Sequence, residues 1–246
     1  MNEKMYQMFF DVQKHHWWFV AKKKIVVKFV SRITRQSKRD QTILDVGCGA
    51  GLMLTELEKF GTVFGMDFSD EAVSFSKKIF KGDVRKGSLP SNVPFSKEYF
   101  DLITALDVIE HIDEDVEALQ ALNSLLKDNG SVVVTVPAYM FLWTKFDEIN
   151  EHKRRYTLPE LREKLQFAGF SVDYISYYNS FLFPLAFAVR LFNKLRNNDG
   201  ASELEVPNKF VNSFLKRVFM LEALVLGNLR FPFGVSIIAV AKKIKI

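Results

Sequence analysis

Apolar residues along the chain follow two spacings, which predict alternating strands and helices. Short apolar runs typical of buried strands lie at 43–46, 63–65, 99–106 and 131–136. Apolar residues at helical spacing predict helices that begin near Leu52 and span 70–80, 116–126 and 158–168. A short strand is also expected over 84–86. This order is typical of an α/β domain.

The two ends of the chain add helices to this pattern. Residues 6–35 predict two helices that meet near His16, and the second has an apolar face and a basic face. Near the other end, strands are expected at 171–177 and 231–242. Two strongly apolar helices, over 181–192 and 210–226, lie between them, and the polar residues 197–202 form the expected linker.

A glycine-rich turn joins the first strand to its helix. Gly47, Gly49 and Gly51 let the backbone approach a ligand, and the helix start attracts an anion. Asp45 precedes the turn, where a carboxylate repels a pyrophosphate but attracts an ammonium group. S-adenosylmethionine carries such a group. Asp67 ends the next strand, about 20 residues past the first glycine, which is where an acid reaches ribose hydroxyls.

These residues, together with the segment 100–112, resemble the class I S-adenosylmethionine-dependent methyltransferases, in their small-molecule branch. The resemblance implies a doubly wound, seven-stranded, mostly parallel sheet that ends in an antiparallel hairpin. It also implies an N-terminal helical cap over the cofactor, in which Lys22 or Lys23 meets the methionyl carboxylate. The residues expected to bind the cofactor are Asp45, Gly47, Cys48, Gly49, Gly51, Asp67, Phe68, Ser88, Leu89, Asp107 and Val108.

The sequence departs from the family pattern at two points. Ser88 stands where the family often has an acid that accepts the adenine amino group. After the fourth strand, Asp107-Val108-Ile109-Glu110 stands where enzymes that methylate nucleobase amines have Asn or Asp followed by Pro-Pro and an aromatic residue. The acceptor is therefore expected to be a small or lipid-linked molecule, methylated most simply at oxygen.

Candidate catalytic and acceptor-binding residues follow the fourth and fifth strands, because ligands bind at the carboxyl edge of a parallel sheet. His111 and His152 are candidate general bases, and the alternative for His111 is a loop-ordering role. The candidate acceptor-binding residues are Tyr139, Arg154, Arg155 and Tyr156. The alternative for the arginines is a surface pair. No metal site is expected, since Asp147, Glu148 and His152 match no zinc spacing.

Composition restricts the compartment and the partners. The single cysteine, Cys48, excludes a disulfide framework within the chain and fits a reducing, cytoplasmic compartment. No signal peptide and no apolar run of ~18 residues is evident. Of the formal net charge of +5, residues 1–40 carry +7 and the remainder carries −2. Nucleic acid is therefore a disfavoured partner.

The chain is expected to divide into a helical cap, residues 1–40, and a methyltransferase domain, residues 41–246, with a helical insertion at about 181–228. This insertion is interpreted as a pair of helices folded on the body, a lid, a homodimer interface or a peripheral membrane anchor. The basic face of the second helix is interpreted as a solvated face of a helix packed against the core, or as a contact with an anionic membrane surface or an acidic substrate. The basic residues concerned are Lys24, Lys28, Arg32 and Arg35.

Two other functions remain open at this stage. A protein or partner subunit that binds S-adenosylmethionine without catalysis would share every cofactor residue. A nicotinamide-dependent dehydrogenase is disfavoured by Asp45 and by the lack of a Tyr-x-x-x-Lys pair after the fifth strand.

Overall fold

Seven strands form one twisted sheet in a computed structural model that describes residues 3–35, 40–195 and 206–245. The strands are β1 (Gln41–Val46), β2 (Gly61–Asp67), β3 (Asp83–Lys86), β4 (Phe100–Leu106), β5 (Leu126–Pro137), β6 (Phe170–Tyr178) and β7 (Ser236–Lys243). Their order is β3-β2-β1-β4-β5-β7-β6. Only β7 runs against its neighbours, β5 and β6. The predicted mostly parallel sheet with a final antiparallel hairpin is confirmed.

Helices cover both faces of the sheet, as a doubly wound fold requires. They are α1 (Glu3–His15), α2 (Trp17–Thr34), α3 (Leu52–Leu57), α4 (Asp70–Ile79), α5 (Asp115–Leu125), α6 (Lys145–Ile149), α7 (Leu158–Phe167), α8 (Phe183–Leu195) and α9 (Lys209–Val225). Successive strand residues face opposite sides. Val132 and Val134 therefore join the cluster under α5 and α7, whereas Val133 joins the cluster under α2 and α9.

The second N-terminal helix, α2, is an integral part of the core. Its apolar face, including Ile25, Val26 and Val30, is fully buried, because apolar residues at i, i+1 and i+5 share one side of a helix. It packs against Phe219 and Ala223 of α9. The division of the chain into a cap before residue 41 and a domain after it stays a prediction.

The helical insertion lies between β6 and β7, as predicted. One face of α9 packs on α2, and Glu222 of α9 accepts hydrogen bonds from the backbone N–H groups of Ser180 (2.7 Å) and Phe181 (3.2 Å). This buried carboxylate ties α9 to the start of α8. Most described side chains of α8 are exposed. The predicted linker at 197–202 lies outside the described residues.

One strand boundary differs from the expectation. The expected helix over 116–126 and the expected strand over 131–136 leave residues 127–130 between them, but β5 already begins at Leu126. Leu126 pairs with Phe100, and the register then shifts before Ser131 pairs with Leu102. Asn129 takes a left-handed φ of 62°, which accommodates this irregularity. Among the described helices, none has the length and apolar character needed to cross a membrane.

Candidate active site

A cavity of about 660 Å³ opens at the carboxyl ends of β1 and β4. In open parallel sheets, ligands bind at this edge. The glycine-rich turn and the residues after β4 line its floor, the start of α2 covers one side, and α8 and α9 form an apolar wall. This wall includes Leu182, Leu185, Val189 and Leu215. The cavity therefore joins a polar floor to an apolar wall.

The glycine-rich turn presents its backbone to the cavity. Gly47, Cys48 and Gly49 line it, and Gly47 has a φ of 68°. A Cβ on Gly47 would come within 2.5 Å of Cγ2 of Val108, so a side chain here would displace the loop after β4. Gly51 lies outside the lining and begins α3 with a φ of 81°. The turn thus requires glycine for close approach and for its conformation.

Asp45 is a buried carboxylate on the floor of the cavity. Its Oδ1 accepts a hydrogen bond of 2.6 Å from the Thr104 hydroxyl. Burial raises the pKa of Asp45 to about 7. A positively charged group bound next to Asp45 would favour its ionised form. This arrangement suits a ligand with an ammonium group.

Asp67 connects the end of β2 to the glycine-rich turn. Its carboxylate accepts hydrogen bonds from the backbone N–H groups of Gly49 (2.9 Å) and Ser69 (3.0 Å). Phe68 follows and is 75% exposed. Asp67 and Phe68 lie next to the cavity but outside its lining. The exposed ring of Phe68 is available for stacking.

The other predicted adenine contacts lie farther along the same sheet edge. Ser88 exchanges backbone hydrogen bonds with Asn92, and Leu89 is a buried member of the core. Neither residue lines the cavity. Their predicted cofactor contacts stay predictions.

Lys22 extends from α2 into the cavity and forms an ion pair with Asp107. The Lys22 ammonium also lies 4.9 Å from the centre of the Trp18 ring. Asp107 has a left-handed φ of 56° and accepts a hydrogen bond of 2.8 Å from Thr135. The neighbouring Lys23 pairs with Glu56 at 2.9 Å. Of the two lysines proposed by resemblance, Lys22 is the more deeply buried, with 8% of its surface exposed.

Glu110, His111 and His152 lie close together in the lining of the cavity. The two imidazole rings are perpendicular, with their centres 4.6 Å apart. Glu110 is fully buried, and neither of its carboxylate oxygens has a hydrogen-bond partner. Burial and the nearby charge of Asp107 raise the pKa of Glu110. Burial, followed by the charge of His152, lowers the pKa of His111.

Arg155 lines the cavity, but its guanidinium is already bound. Its Nε and Nη2 each donate a 2.8 Å hydrogen bond to Asp147, and its Nη1 donates to the carbonyl of Ala138. Asp147 also bonds to Nδ1 of His152 at 2.8 Å. This ion pair is buried, and the hydrogen bonds that Asp147 forms with His152 and with Arg155 lower the pKa of the Asp147 carboxyl. That Arg155 binds the acceptor stays a prediction.

The structure does not bring Arg154, Tyr156 or Tyr139 into the cavity lining. Arg154 forms a 3.0 Å ion pair with Asp115, and the Tyr156 hydroxyl donates to the same carboxylate at 2.8 Å. Tyr139 stacks between Phe141 and Tyr177, each 4.9 Å away. The roles expected for these three residues in acceptor binding stay predictions.

Sequence reasoning did not select Glu110 or Asn179 as site residues. Glu110 directly precedes His111 in the sequence. This adjacent acid-histidine pair is a signal that could have identified Glu110 as a site residue. Asn179 lies just after β6, is 3% exposed and lines the cavity with an unpartnered Oδ1. Its φ of 57° places it in the left-handed region. No pattern in the sequence marks it, because the site forms from strands distant in the chain.

Comparisons with known proteins identify the family and the fold. The family model of the methyltransferase domain matches residues 18–175. A ubiquinone biosynthesis O-methyltransferase from Nitrosomonas europaea is 23% identical over 161 residues. This match spans 60% of the present chain and only 63% of that relative's length.

Solved structures share the fold at low identity. A TehB-like S-adenosylmethionine-dependent methyltransferase from Corynebacterium glutamicum has a TM-score of 0.54 and 18% identity, over 91% of this chain and 88% of its own. Phosphoethanolamine N-methyltransferase 2 from Haemonchus contortus, solved with S-adenosyl-L-methionine, has a TM-score of 0.56 and 18% identity, over 89% and 53%. The chain belongs to the methyltransferase-domain family and has the fold of the class I S-adenosylmethionine-dependent methyltransferases.

Proposed function

We propose that the protein transfers a methyl group from S-adenosylmethionine to an oxygen of a small or lipid-linked acceptor. The observation that carries this proposal is the single cavity that joins the glycine-rich turn and Asp45 to Glu110, His111 and His152. A donor held at the turn and an acceptor held at the histidines would meet inside it. Alignment of two reactants in this way is a large part of catalysis.

The donor side of the cavity has groups that suit each part of the cofactor. Asp45 would hold the ammonium, Lys22 the carboxylate and Asp67 the ribose hydroxyls, while Phe68 would stack on the adenine. Gly47 and Gly49 allow close approach of the backbone. The remaining proposed contacts are Cys48, Gly51, Ser88, Leu89, Asp107 and Val108.

The acceptor side needs a group that receives a proton. When bound, S-adenosylmethionine supplies an activated methyl: the acceptor oxygen forms a bond to carbon, the carbon-sulfur electron pair goes to sulfur, and the hydroxyl proton leaves. His111 or His152 would receive that proton and pass it to water. The lowered pKa of His111 keeps its ring neutral at pH 7, which a proton acceptor requires.

The apolar wall supports a hydrophobic acceptor. Leu182, Leu185 and Val189 line the cavity from the α8 side, and Leu185 and Val189 are also about half exposed. An apolar chain could therefore leave the cavity along α8. The name of the Nitrosomonas relative, which refers to ubiquinone biosynthesis, is consistent with a lipid-linked acceptor. Peripheral contact with the cytoplasmic face of a membrane follows as a proposal, and a homodimer through the same surface is the competing one.

Calorimetric titration with S-adenosylmethionine and S-adenosylhomocysteine tests the donor, and a methyl-transfer screen against phenols, sugars and lipids then tests the acceptor. We expect binding of both cofactor forms and turnover of a hydroxylated apolar acceptor. Cofactor binding without turnover of any acceptor would favour the non-catalytic alternative. Binding of NAD in place of S-adenosylmethionine would overturn the proposal.

A further inference from the structure

The cluster of Glu110, His111 and His152 has the geometry of a ligand set. One potential donor atom from each residue lies within 4.8 Å of those of the other two. Atoms that ligate one transition-metal ion at about 2.0–2.2 Å are separated by less than about 4.4 Å. The cluster therefore needs only small side-chain adjustments to close on an ion. Two histidines and one carboxylate also form a known facial ligand set with open positions.

Each of the two histidines uses one ring nitrogen in a hydrogen bond, so its other ring nitrogen is available to bind a metal ion. His152 bonds through Nδ1 to Asp147, and His111 bonds to the backbone of Asn150. A metal-bound histidine almost always has such a partner on its other nitrogen, which fixes its tautomer and orientation. Arg155 holds Asp147 in place with two hydrogen bonds. The Nε2 atom of His152 is thereby set up as a ligand.

The environment of the Glu110 carboxylate also indicates a bound cation. Its side chain is fully buried, and both carboxylate oxygens lack a hydrogen-bond partner. Buried polar atoms without hydrogen-bond partners destabilise a folded protein, so each one requires an explanation. Lys153 donates its backbone N–H to the carbonyl of Glu110 at 2.8 Å, which fixes the two loops relative to each other but leaves the carboxylate free. A cation would satisfy it.

We propose that Glu110, His111 and His152 bind one divalent first-row transition-metal ion. Imidazole ligands favour zinc, iron, nickel or copper, whereas magnesium, calcium and manganese prefer oxygen ligands. Three protein ligands leave coordination positions open, as in catalytic sites. Since all three residues line the cavity, these positions face the space assigned to the acceptor.

What the ion does rests on the proposed function. An acceptor hydroxyl that binds at an open position would have its pKa lowered, and its proton would pass to water. The metal-bound oxygen would then form the bond to the methyl carbon as the bond from carbon to sulfur breaks. His111 and His152 would act as ligands rather than as direct proton acceptors. This role requires an acceptor with a hydroxyl group, such as a catechol. A tertiary amine has no proton to lose and would gain nothing from it.

The test is a titration of the purified full-length chain, first treated with a chelator, with Co²⁺ and then Zn²⁺. We expect one ion per chain, a visible Co²⁺ absorption band typical of nitrogen and oxygen ligands, and displacement of Co²⁺ by Zn²⁺. Glu110→Gln and His152→Ala should each weaken binding at least tenfold. The matched control is His15→Ala, which removes an exposed histidine outside the cluster and should bind like the parent.

The parent titration decides the matter even if a variant fails to fold. Absence of stoichiometric binding by the parent, or equal affinity in the parent and in folded Glu110→Gln, would overturn the inference. Thermal unfolding and S-adenosylmethionine binding verify that each variant is folded. Since the metal titration contains no cofactor, S-adenosylmethionine binding without metal binding would remove the metal site alone. Metal binding without cofactor binding would contradict the proposed function alone.

Discussion

Two acidic residues on the donor side of the cavity are held in different ways. Asp67 accepts two backbone hydrogen bonds from the turn that follows β1 and from the start of α4. Asp45 is more deeply buried and has a single hydroxyl partner, Thr104. Removal of either carboxylate should weaken cofactor binding, and Asp45, whose pKa is raised to about 7 by burial, should make binding depend on pH near neutrality.

Asp67→Ala should weaken S-adenosylmethionine binding roughly ten- to a hundredfold. Hydrogen bonds to a charged group contribute about 1.5–3 kcal/mol, which corresponds to this range. The measurement is a calorimetric titration of the folded variant. Asp70→Ala is the control, because Asp70 is an exposed acid three residues away that pairs with Lys86. If Asp67→Ala binds as tightly as the parent, the assignment of Asp67 to the ribose is wrong.

The affinity for S-adenosylmethionine should rise as the pH rises from 6 to 8. Burial raises the pKa of Asp45 to about 7, so its ionised fraction grows roughly tenfold over this interval. An ammonium group binds the ionised carboxylate, and the affinity should therefore follow that fraction. Asp45→Asn should bind more weakly and with a flat pH profile. A flat profile in the parent would separate Asp45 from the ammonium site.

The residues that line the proposed donor side of the cavity could be predicted from the sequence, whereas the contacts of those around the proposed acceptor side could not. Gly47 and Asp45 lie within one strand-turn segment, so their positions follow from local structure. Arg155 lies beside Arg154 in a loop, yet it turns inward to Asp147 while Arg154 turns outward to Asp115. Which of two adjacent arginines is buried depends on the loop conformation. Spacing does not specify that conformation.

At the scale of elements, basic side chains of α2 contact the C-terminal end of α9. Lys28 of α2 donates hydrogen bonds of 2.7 Å to the carbonyls of Ala223 and Leu224, in the last turn of α9. Arg32 reaches Asn228 at 2.9 Å. Cations at a helix C-terminus satisfy free carbonyls and complement the helix dipole. Two of the four basic residues considered for membrane contact are thus engaged within the fold.

Lys28→Met should lower the free energy of unfolding by about 1–2 kcal/mol. The variant keeps most of the apolar stem but removes the charge and both hydrogen bonds to the α9 carbonyls. Chemical denaturation of the parent and the variant measures the difference. Lys24→Met, at an exposed position one turn earlier on α2, should change it by less than about 0.5 kcal/mol. Equal effects of the two substitutions would contradict a specific contact with α9.

Element boundaries were predictable where local signals mark them. Thr157 and Glu160 form a capping box, and α7 begins at Leu158. Ser69 caps α4 through a hydrogen bond to the backbone of Ala72. The early start of β5 at Leu126 had no such signal, because the pairing of Leu126 with Phe100 is a contact between distant segments. Local chemistry therefore fixes helix starts better than it fixes strand ends.

At the scale of the whole molecule, α8 and α9 present an apolar surface with a positive charge. We define the outer face as the exposed side chains Phe187, Leu191, Phe210, Phe214, Leu221 and Leu224. Within 181–195 and 206–245, Glu222 is the single acidic residue, and it is buried. Lys209 and Arg217 are exposed among the apolar residues of α9. This composition is typical of helices that lie at an anionic membrane interface.

The protein should float with vesicles that contain phosphatidylglycerol at low salt, and less at high salt. Apolar burial at the interface and attraction of about 1 kcal/mol for each cation would act together. Phe210→Asp should weaken co-flotation roughly tenfold, because Phe210 is 89% exposed on the outer face and loses its apolar contact. The matched control is Phe167→Asp, since Phe167 is 74% exposed at the end of α7.

The competing occupant of the outer face is a second copy of the chain. Sedimentation of the protein without vesicles measures this directly, because a dimer through α8 and α9 would dissociate in Phe210→Asp but not in Phe167→Asp. A monomer that floats with anionic vesicles supports membrane contact and agrees with a lipid-linked acceptor entering along α8. A stable dimer that stays with the soluble fraction at low salt would assign the outer face to self-association.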